Sequence, residues 1–329
     1  MRYVDINEIR TGDILGENIR DNRGIVLLVK GKKLNVSNII SLRNRGFSRI
    51  VIEDRISDGI EIGYLSSEQS KATIIDGLKK LDIEKIQREA KLVTKELIAN
   101  NVSLADMECI KTYDEYTYQH SYSVGMICAV MGLTAGFVPD EIENVTIAGL
   151  LHDLGKTQIP LEIINAPRRL TFDEFEEVKK HPRNAYDLLV NSSAVPSTIR
   201  VSILQHHENE DGTGYPKGIK GDKLYKFAKI IHIADVFDAL TSLRPYRKPM
   251  TRHEAIAYIK NNNDTMFSKL FTTVFERCVP PYTTGSTVEL GNGLKVIIVR
   301  NDTKDINNPY CRRIDTLEEA TLRDFCNMD

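Results

Sequence analysis

This chain of 329 residues has no long apolar run, no C-x-x-C pair, no internal repeat, no low-complexity segment and almost no net charge. Each absence excludes something. Without a run of some 20 apolar residues there is no candidate membrane helix. The opening MRYVDINEIR also lacks the apolar stretch of a signal peptide, so the expected location is the cytoplasm with no membrane partner. A formal charge of −2 gives no basic field to recruit DNA, RNA or anionic lipid. An anionic ligand must then be captured by local groups. Five scattered cysteines (Cys109, Cys128, Cys278, Cys311 and Cys326) offer no metal-binding or redox pair. They read as reduced thiols, and Cys128 as a small core residue.

What is present is 41% hydrophobic residues in helical and strand-like patterns, enough for one main domain with smaller ones. Residues 1–65 read as a small β-rich N-terminal domain. Ile25 to Val29 and Ile50 to Ile52 are β-branched runs, bounded by turn formers such as Asp21-Asn22 and Gly24. Between them Ser37 is the expected cap of a short helix carrying Ile39, Ile40 and Leu42 and stopping near Gly46. Residues 66–100 read as one linker helix, capped by Ser66 or Ser67, with Ile86, Ala90, Val93 and Leu97 at three- and four-residue spacing. It either joins the N-terminal domain to the next one or belongs to the next bundle. Residues 101–280 continue the helical pattern, with a capping box at Thr171 and Glu174. Residues 281–329 hold an expected β-hairpin, in which Val288 and Leu290 pair with Val296 to Val299 across Gly291-Asn292-Gly293, and then a charged tail. The expected fold class is α+β: mainly an α-helical bundle, with a small β-rich N-terminal domain and a C-terminal β-hairpin.

Chemistry concentrates in the helical region. Six of the seven histidines lie between 120 and 232. A lone helical histidine is more often a core or surface residue than a ligand. Here they come in company: His120-Ser121, His152-Asp153, His181-Pro182 and His206-His207, followed by Asp235 and Asp238. Imidazoles with carboxylates and no thiolate suit iron, manganese, zinc or nickel. Leu150 and Leu151 bury the helix that delivers His152-Asp153, and a buried carboxylate is costly unless a cation neutralises it. A carboxylate beside a histidine can also bridge two cations.

The stretch His206-His207-Glu208-Asn209-Glu210-Asp211-Gly212-Thr213-Gly214-Tyr215-Pro216 makes the pattern specific. With His152-Asp153, it resembles the HD-GYP family of the HD phosphohydrolase superfamily, matching H-H-E-x-x-D-G-x-G-Y-P at every fixed position. Tyr116-Thr117, Ile159-Pro160, His181-Pro182 and Ala234 to Ser242 with Arg244-Pro245-Tyr246-Arg247 extend the resemblance over about half the chain. An HD-type bundle is the fold it implies. The implied function is metal-dependent hydrolysis of cyclic di-GMP to linear pGpG and/or GMP by a metal-bridged hydroxide. The implied cofactors are two divalent ions, iron first and manganese second. One would be held by His120, His152, Asp153 and Asp235, the other by Asp153 as a bridge with His181, His206 and His207. Asp153 and Lys156 are thereby implied as catalytic.

Lys156, Tyr215, Arg244 and Arg247 are implied as substrate-binding. By their residues alone, Lys156 and the two arginines read as solvated helix-end cations. Glu208, Asp211 and Asp238 are expected to support the ligands or shape the loop. Gly212 and Gly214 permit its tight turn and Pro216 stiffens it. His232 and His253 match no ligand position and read as structural or exposed. Tyr116 stands where some relatives carry a carboxylate for a third ion, so two ions are expected, although Asp114 and Glu115 lie close by. Open alternatives are another cyclic dinucleotide as substrate, or a non-catalytic cyclic di-GMP receptor. A homodimer and signalling partners on the GYP loop or N-terminal domain are compatible with either.

Overall fold

Short apolar runs at Tyr3-Val4 and Ile50-Val51-Ile52 build a small antiparallel sheet. The structure is a computed structural model describing residues 1–21, 25–63, 66–100, 116–166, 168–242, 249–302 and 304–328, without the side chains of Glu68, Asn100 and Tyr116. Strand β1 (Arg2–Asp5) pairs with β5 (Arg49–Glu53), Val4 opposite Ile50, and β2 (Ile14–Leu15) pairs on the other side, Leu15 opposite Ile52. Strands β3 (Ile19–Arg20) and β4 (Val26–Leu28) form a separate ribbon. Helix α1 (Val36–Asn44) covers the sheet with Ile39 and Leu42, completing a core with Val4, Leu15, Leu34, Ile50 and Ile52. Its cap is Asn35, not Ser37. The Asn35 side chain accepts from the Asn38 N–H at 2.8 Å, and the Asn38 side chain accepts in return from the Asn35 N–H. Ser37 therefore falls inside the first turn. The turn formers Asn22 and Gly24 lie outside the described residues.

The span 66–100 is two helices rather than one: α2 (Glu68–Lys80), capped by Ser67, and α3 (Ile83–Asn100). Leu81 breaks them apart in the left-handed region at φ 55°, and the Asp82 carboxylate accepts from the Lys85 N–H to start α3. The spacing read from sequence holds within α3, where Ile86, Ala90, Val93 and Leu97 are all buried. Helix α3 packs against α2 and against α5 (Pro139–Leu151).

The helical unit takes in residues 66–100 and 117–278. Besides α2, α3 and α5 it contains α4 (Tyr116–Thr134), α6 (Leu161–Ile164), α7 (Phe172–Val178), α8 (His181–Leu189) and α9 (Ser197–Gln205). Helices α10 (Lys226–Thr241), α11 (Arg252–Asn261) and α12 (Lys269–Cys278) complete it. The capping box of Thr171 and Glu174 starts α7 as expected. Helix α10 is apolar on nearly every side, burying Phe227, Ile230, Ile231, Ile233, Ala234 and Phe237, as a central helix must. It packs on α5, α9, α11 and α12. No helix among the described residues is long and apolar enough to cross a membrane.

The expected C-terminal hairpin is present as β6 (Thr287–Glu289) and β7 (Lys295–Arg300). The tail beyond it is structured too. Strands β8 (Tyr310–Arg313) and β9 (Glu319–Thr321) extend the hairpin to a four-stranded antiparallel sheet, and α13 (Leu322–Cys326) closes its core through Phe325. This segment and residues 1–65 form one compact unit. Arg312 donates to the carbonyls of Ile56 and Asp58, and the Tyr3 N–H donates to Gly285 O at 2.9 Å.

Candidate metal centre

The pair His152-Asp153 sits where α5 ends. Consecutive residues of a continuous helix diverge by about 100° around its axis. Here the chain leaves the helix at Asp153 (φ −93°, ψ 4°) and tightens into a 3-10 turn over Leu154–Gln158, so both side chains turn to the same side. Gly155 makes that turn possible. A Cβ on it would lie 2.0 Å from His181 O and 2.5 Å from Ala185 N, so only glycine lets the turn seat against α8. The same contact brings His181, first residue of α8, to Asp153: Nε2 is 3.4 Å from Oδ1. His206 and His207 follow the end of α9, His120 lies in the second turn of α4, and Asp235 projects from central α10.

These elements bring all seven residues expected as ligands into one cluster. Three overlapping groups have ligand atoms within 4.8 Å of one another: His120, His152 and Asp153; His152, His206 and Asp235; His181, His206 and His207. His152 belongs to the first and second groups, His206 to the second and third. His120 Nε2 is 3.1 Å from Asp235 Oδ1 and 3.6 Å from Asp153 Oδ2. His152 Nε2 is 3.4 Å from Asp153 Oδ2.

Backbone carbonyls decide which imidazole nitrogen faces inward. The Nδ1–H groups of His152, His181 and His206 donate to Gly149 O, Val178 O and Ile203 O at 2.7, 2.8 and 2.6 Å. A proton committed to Nδ1 leaves a lone pair on Nε2 of a neutral ring. Burial, the largest influence on His152, His181, His206 and His207, keeps them neutral by depressing all four, His181 to about 4. The Nε2 atoms of His181 and His206 lie 3.2 Å apart, and among the described residues the buried His152 Nε2 and Asp153 Oδ1 have no hydrogen-bond partner. Electron-rich atoms aimed at one another in a buried cluster are unfavourable until a cation lies between them. Imidazole and carboxylate donors with no thiolate fit a divalent ion of the first transition row.

His120 differs. Burial pushes it down, but hydrogen bonds to Asp235 and Asp238 outweigh this and raise it to about 9. Its ring lies between the two carboxylates, with Nδ1 2.8 Å from Asp238 Oδ2. Asp235 and Asp238 are three apart on α10 and share a face, as their spacing predicts. Asp153 and Asp235 are pushed up by burial but held well below the usual carboxylate range by charged neighbours, Lys156 and His120 at Asp153 and His120 at Asp235. Lys156, one turn on, places Nζ 2.7 Å from Asp153 Oδ2.

Glu208 and Asp211 hold the loop after His207. The Glu208 carboxylate accepts from the N–H groups of Lys217 and Ile219 at 2.7 and 3.0 Å, fastening the loop rather than orienting an imidazole. His232, structural and buried, has Nδ1 3.0 Å from Glu208 O. His253 is exposed. Asp211 accepts from the N–H and hydroxyl of Thr213 within the loop. A Cβ on Gly214 would meet Asn209 N at 2.3 Å and His207 O at 2.4 Å, so the chain doubles back there at backbone contact. That fold lays Tyr215 on His207, ring centroids 4.8 Å apart and planes 29° apart. Arg244, Arg247, Asp114 and Glu115 lie outside the described residues, as does the Tyr116 side chain.

A family model for the HD domain matches residues 99–268, just over half of the chain. The chain belongs to the HD domain family. Among curated proteins, this HD domain protein is 35% identical over 210 residues to a cyclic di-GMP phosphodiesterase of Pseudomonas aeruginosa, covering 63% of the chain and 50% of that relative. It is 30% identical over 191 residues to 3'3'-cGAMP-specific phosphodiesterase 1 of Vibrio cholerae, covering 57% of the chain and 42% of the relative. It thus spans about half the length of the curated relatives it matches. A solved HDG"Y"P protein from Bdellovibrio bacteriovorus shares the fold with a TM-score of 0.54 at 15% identity, over 83% of this chain and 97% of that one.

Proposed function

We propose that this protein is a metal-dependent phosphodiesterase that opens cyclic di-GMP to linear pGpG and/or GMP. The observation that carries this is the set of inward, unprotonated imidazole nitrogens facing two carboxylates that Lys156 and His120 keep ionised despite burial. The relatives' names supply the substrate class. In this reading His120, His152, Asp153 and Asp235 hold one ion, and His181, His206 and His207 hold a second, with Asp153 shared. Iron is the proposed metal and manganese the second choice. Bound there, the ions supply Lewis acidity toward a phosphoryl oxygen and water acidified toward neutral pH.

The chain's own residues do the rest. The carbonyls of Gly149, Val178 and Ile203 fix three ligand rings in one tautomer, so binding needs no reorientation. Asp238 holds His120 in the same manner. Lys156 balances charge beside Asp153 and is the cation proposed to meet the scissile phosphate or its leaving oxygen. Arg244 and Arg247 are proposed to bind the substrate, their planar forks suiting phosphate oxygens and their faces suiting a stacked guanine.

The test is anaerobic purification, elemental analysis and chromatography of products from several cyclic dinucleotides. About two ions per chain are expected, with activity lost on chelation and restored by iron or manganese. Hydrolysis undiminished after metal removal would overturn the metal mechanism, and a metal-loaded protein cleaving no cyclic dinucleotide would overturn the substrate class. Preference for 3'3'-cGAMP over cyclic di-GMP is the second reading, favoured by the relative of that specificity.

Asp238 offers a narrower check. Asp238→Asn keeps size and shape but removes the charge behind His120. Its metal affinity is expected to fall by about 10- to 100-fold with the helical content unchanged. Competition with a chromophoric chelator reads this directly, and an unaltered affinity would remove Asp238 from the site.

A further inference from the structure

Lys179 and Lys180 are neighbours in sequence with different surroundings. Lys180 pairs with Glu177 and its side chain is 60% exposed. Lys179 ends α7 with its side chain 31% exposed and its ammonium between two aromatic rings, 5.0 Å from the centroid of Phe175 and 5.8 Å from that of Tyr215. Tyr215 is the ring stacked on His207. The Lys179 ammonium therefore stands one aromatic ring beyond a residue of the metal cluster. Its backbone is tied to the cluster as well, because the preceding carbonyl, Val178 O, accepts the Nδ1–H of His181. Two separate segments, 175–181 and 207–215, thus converge on one cation beside the cluster. Its present counter-ion is Glu176, with Nζ 2.6 Å from Oε1. That glutamate is 44% exposed and makes an i,i+3 surface pair of the sort that contributes little to stability.

A cyclic dinucleotide carries two phosphodiester charges on opposite sides of its ring. The cluster and Lys156 can engage the one being cleaved. We propose that Lys179 binds the second, uncleaved phosphodiester, exchanging Glu176 for a phosphate oxygen as substrate enters, with the faces of Phe175 and Tyr215 holding the ammonium in place. Lys179 is then a specificity-determining contact: a diester with a single phosphate gains nothing from it. This contact rests on the proposed cyclic-dinucleotide activity.

The two members of the ion pair give opposite expectations. Lys179→Met removes the charge the substrate uses, so KM for cyclic di-GMP is expected to rise about tenfold, with kcat within about twofold, the pattern of lost uniform binding. Lys179→Arg recovers part of the loss. Glu176→Gln removes the competing carboxylate, so KM is expected to fall about two- to threefold. A merely structural pair would move both variants the same way. Hydrolysis of bis(p-nitrophenyl) phosphate and metal content stay at parent level throughout, and Lys180→Met changes neither substrate.

An unchanged KM in Lys179→Met would overturn the proposal. So would equal losses on the two substrates, or KM shifts of the same sign in Lys179→Met and Glu176→Gln. In each of those cases the parent still cleaves the cyclic dinucleotide, so the functional reading stands while the Lys179 contact falls. A metal-loaded parent that hydrolyses the small diester but no cyclic dinucleotide fails at the functional reading instead and takes the Lys179 contact with it.

Discussion

Asp153→Ala is expected to empty both proposed metal positions and to lower the proposed cyclic-dinucleotide hydrolysis by at least about 10²- to 10³-fold, the scale of losing one strong electrostatic group in an active site. Asp153 Oδ2 lies 3.4 Å from His152 Nε2 and 3.6 Å from His120 Nε2, and Oδ1 lies 3.4 Å from His181 Nε2. One carboxylate thus faces imidazoles from α4, the end of α5 and α8. Removing it takes a shared negative charge from among three imidazoles, so neither position keeps its full set of donors. His120→Ala takes one ligand from one side only, so it is expected to cost mainly one ion. Elemental analysis of the two variants, each checked for helical content by circular dichroism, separates the cases. A folded Asp153→Ala protein with parent metal stoichiometry would defeat the shared-ligand role.

Gly155→Ala is expected to be strongly destabilising. The added Cβ would lie 2.0 Å from His181 O, 2.5 Å from Ala185 N and 2.9 Å from His181 C, all backbone atoms of α8 that cannot swing aside. The 3-10 turn must then lift off α8, separating Asp153 and Lys156 from His181. Overpacking against backbone costs about 3 kcal/mol or more. For a unit of this size that corresponds to a melting temperature lower by roughly 6–12 °C. Metal retention falls as well, because the turn carries one side of the cluster. A melting temperature within about 2 °C of the parent would show that the turn can shift without strain.

Much of this was legible in the sequence because it was local. The ligand types, the adjacency of His152 and Asp153 and the eleven residues from His206 to Pro216 are one-dimensional patterns. So are the buried period of α3, the capping box of α7 and the hairpin of β6 and β7. Each depends on spacing along the chain, which the order of residues states outright.

Other features were not legible. The break at Leu81 needs a left-handed residue that leucine seldom supplies, so the propensity of its neighbours argued for an unbroken helix. Strands β8 and β9 are short and rich in charge. They exist because Cys311 and Phe325 fill a shared core and because Arg312 finds carbonyls more than 250 positions away. For Glu208 two readings stood open, support of the histidines or shaping of the loop, and the Lys217 and Ile219 N–H groups it accepts from decide for the loop.

The sequence by itself therefore determined which chemical groups this protein has and that they suit divalent ions. It determined this through residue type and short spacing, which need no fold to be read. Only the tertiary structure decided which imidazole nitrogen faces inward, that Gly155 seats the HD turn against α8, and that Lys179 shares a ring with His207. Those depend on backbone carbonyls and on contacts between segments tens of residues apart. Such contacts come into being when burial of the apolar faces brings the helices together.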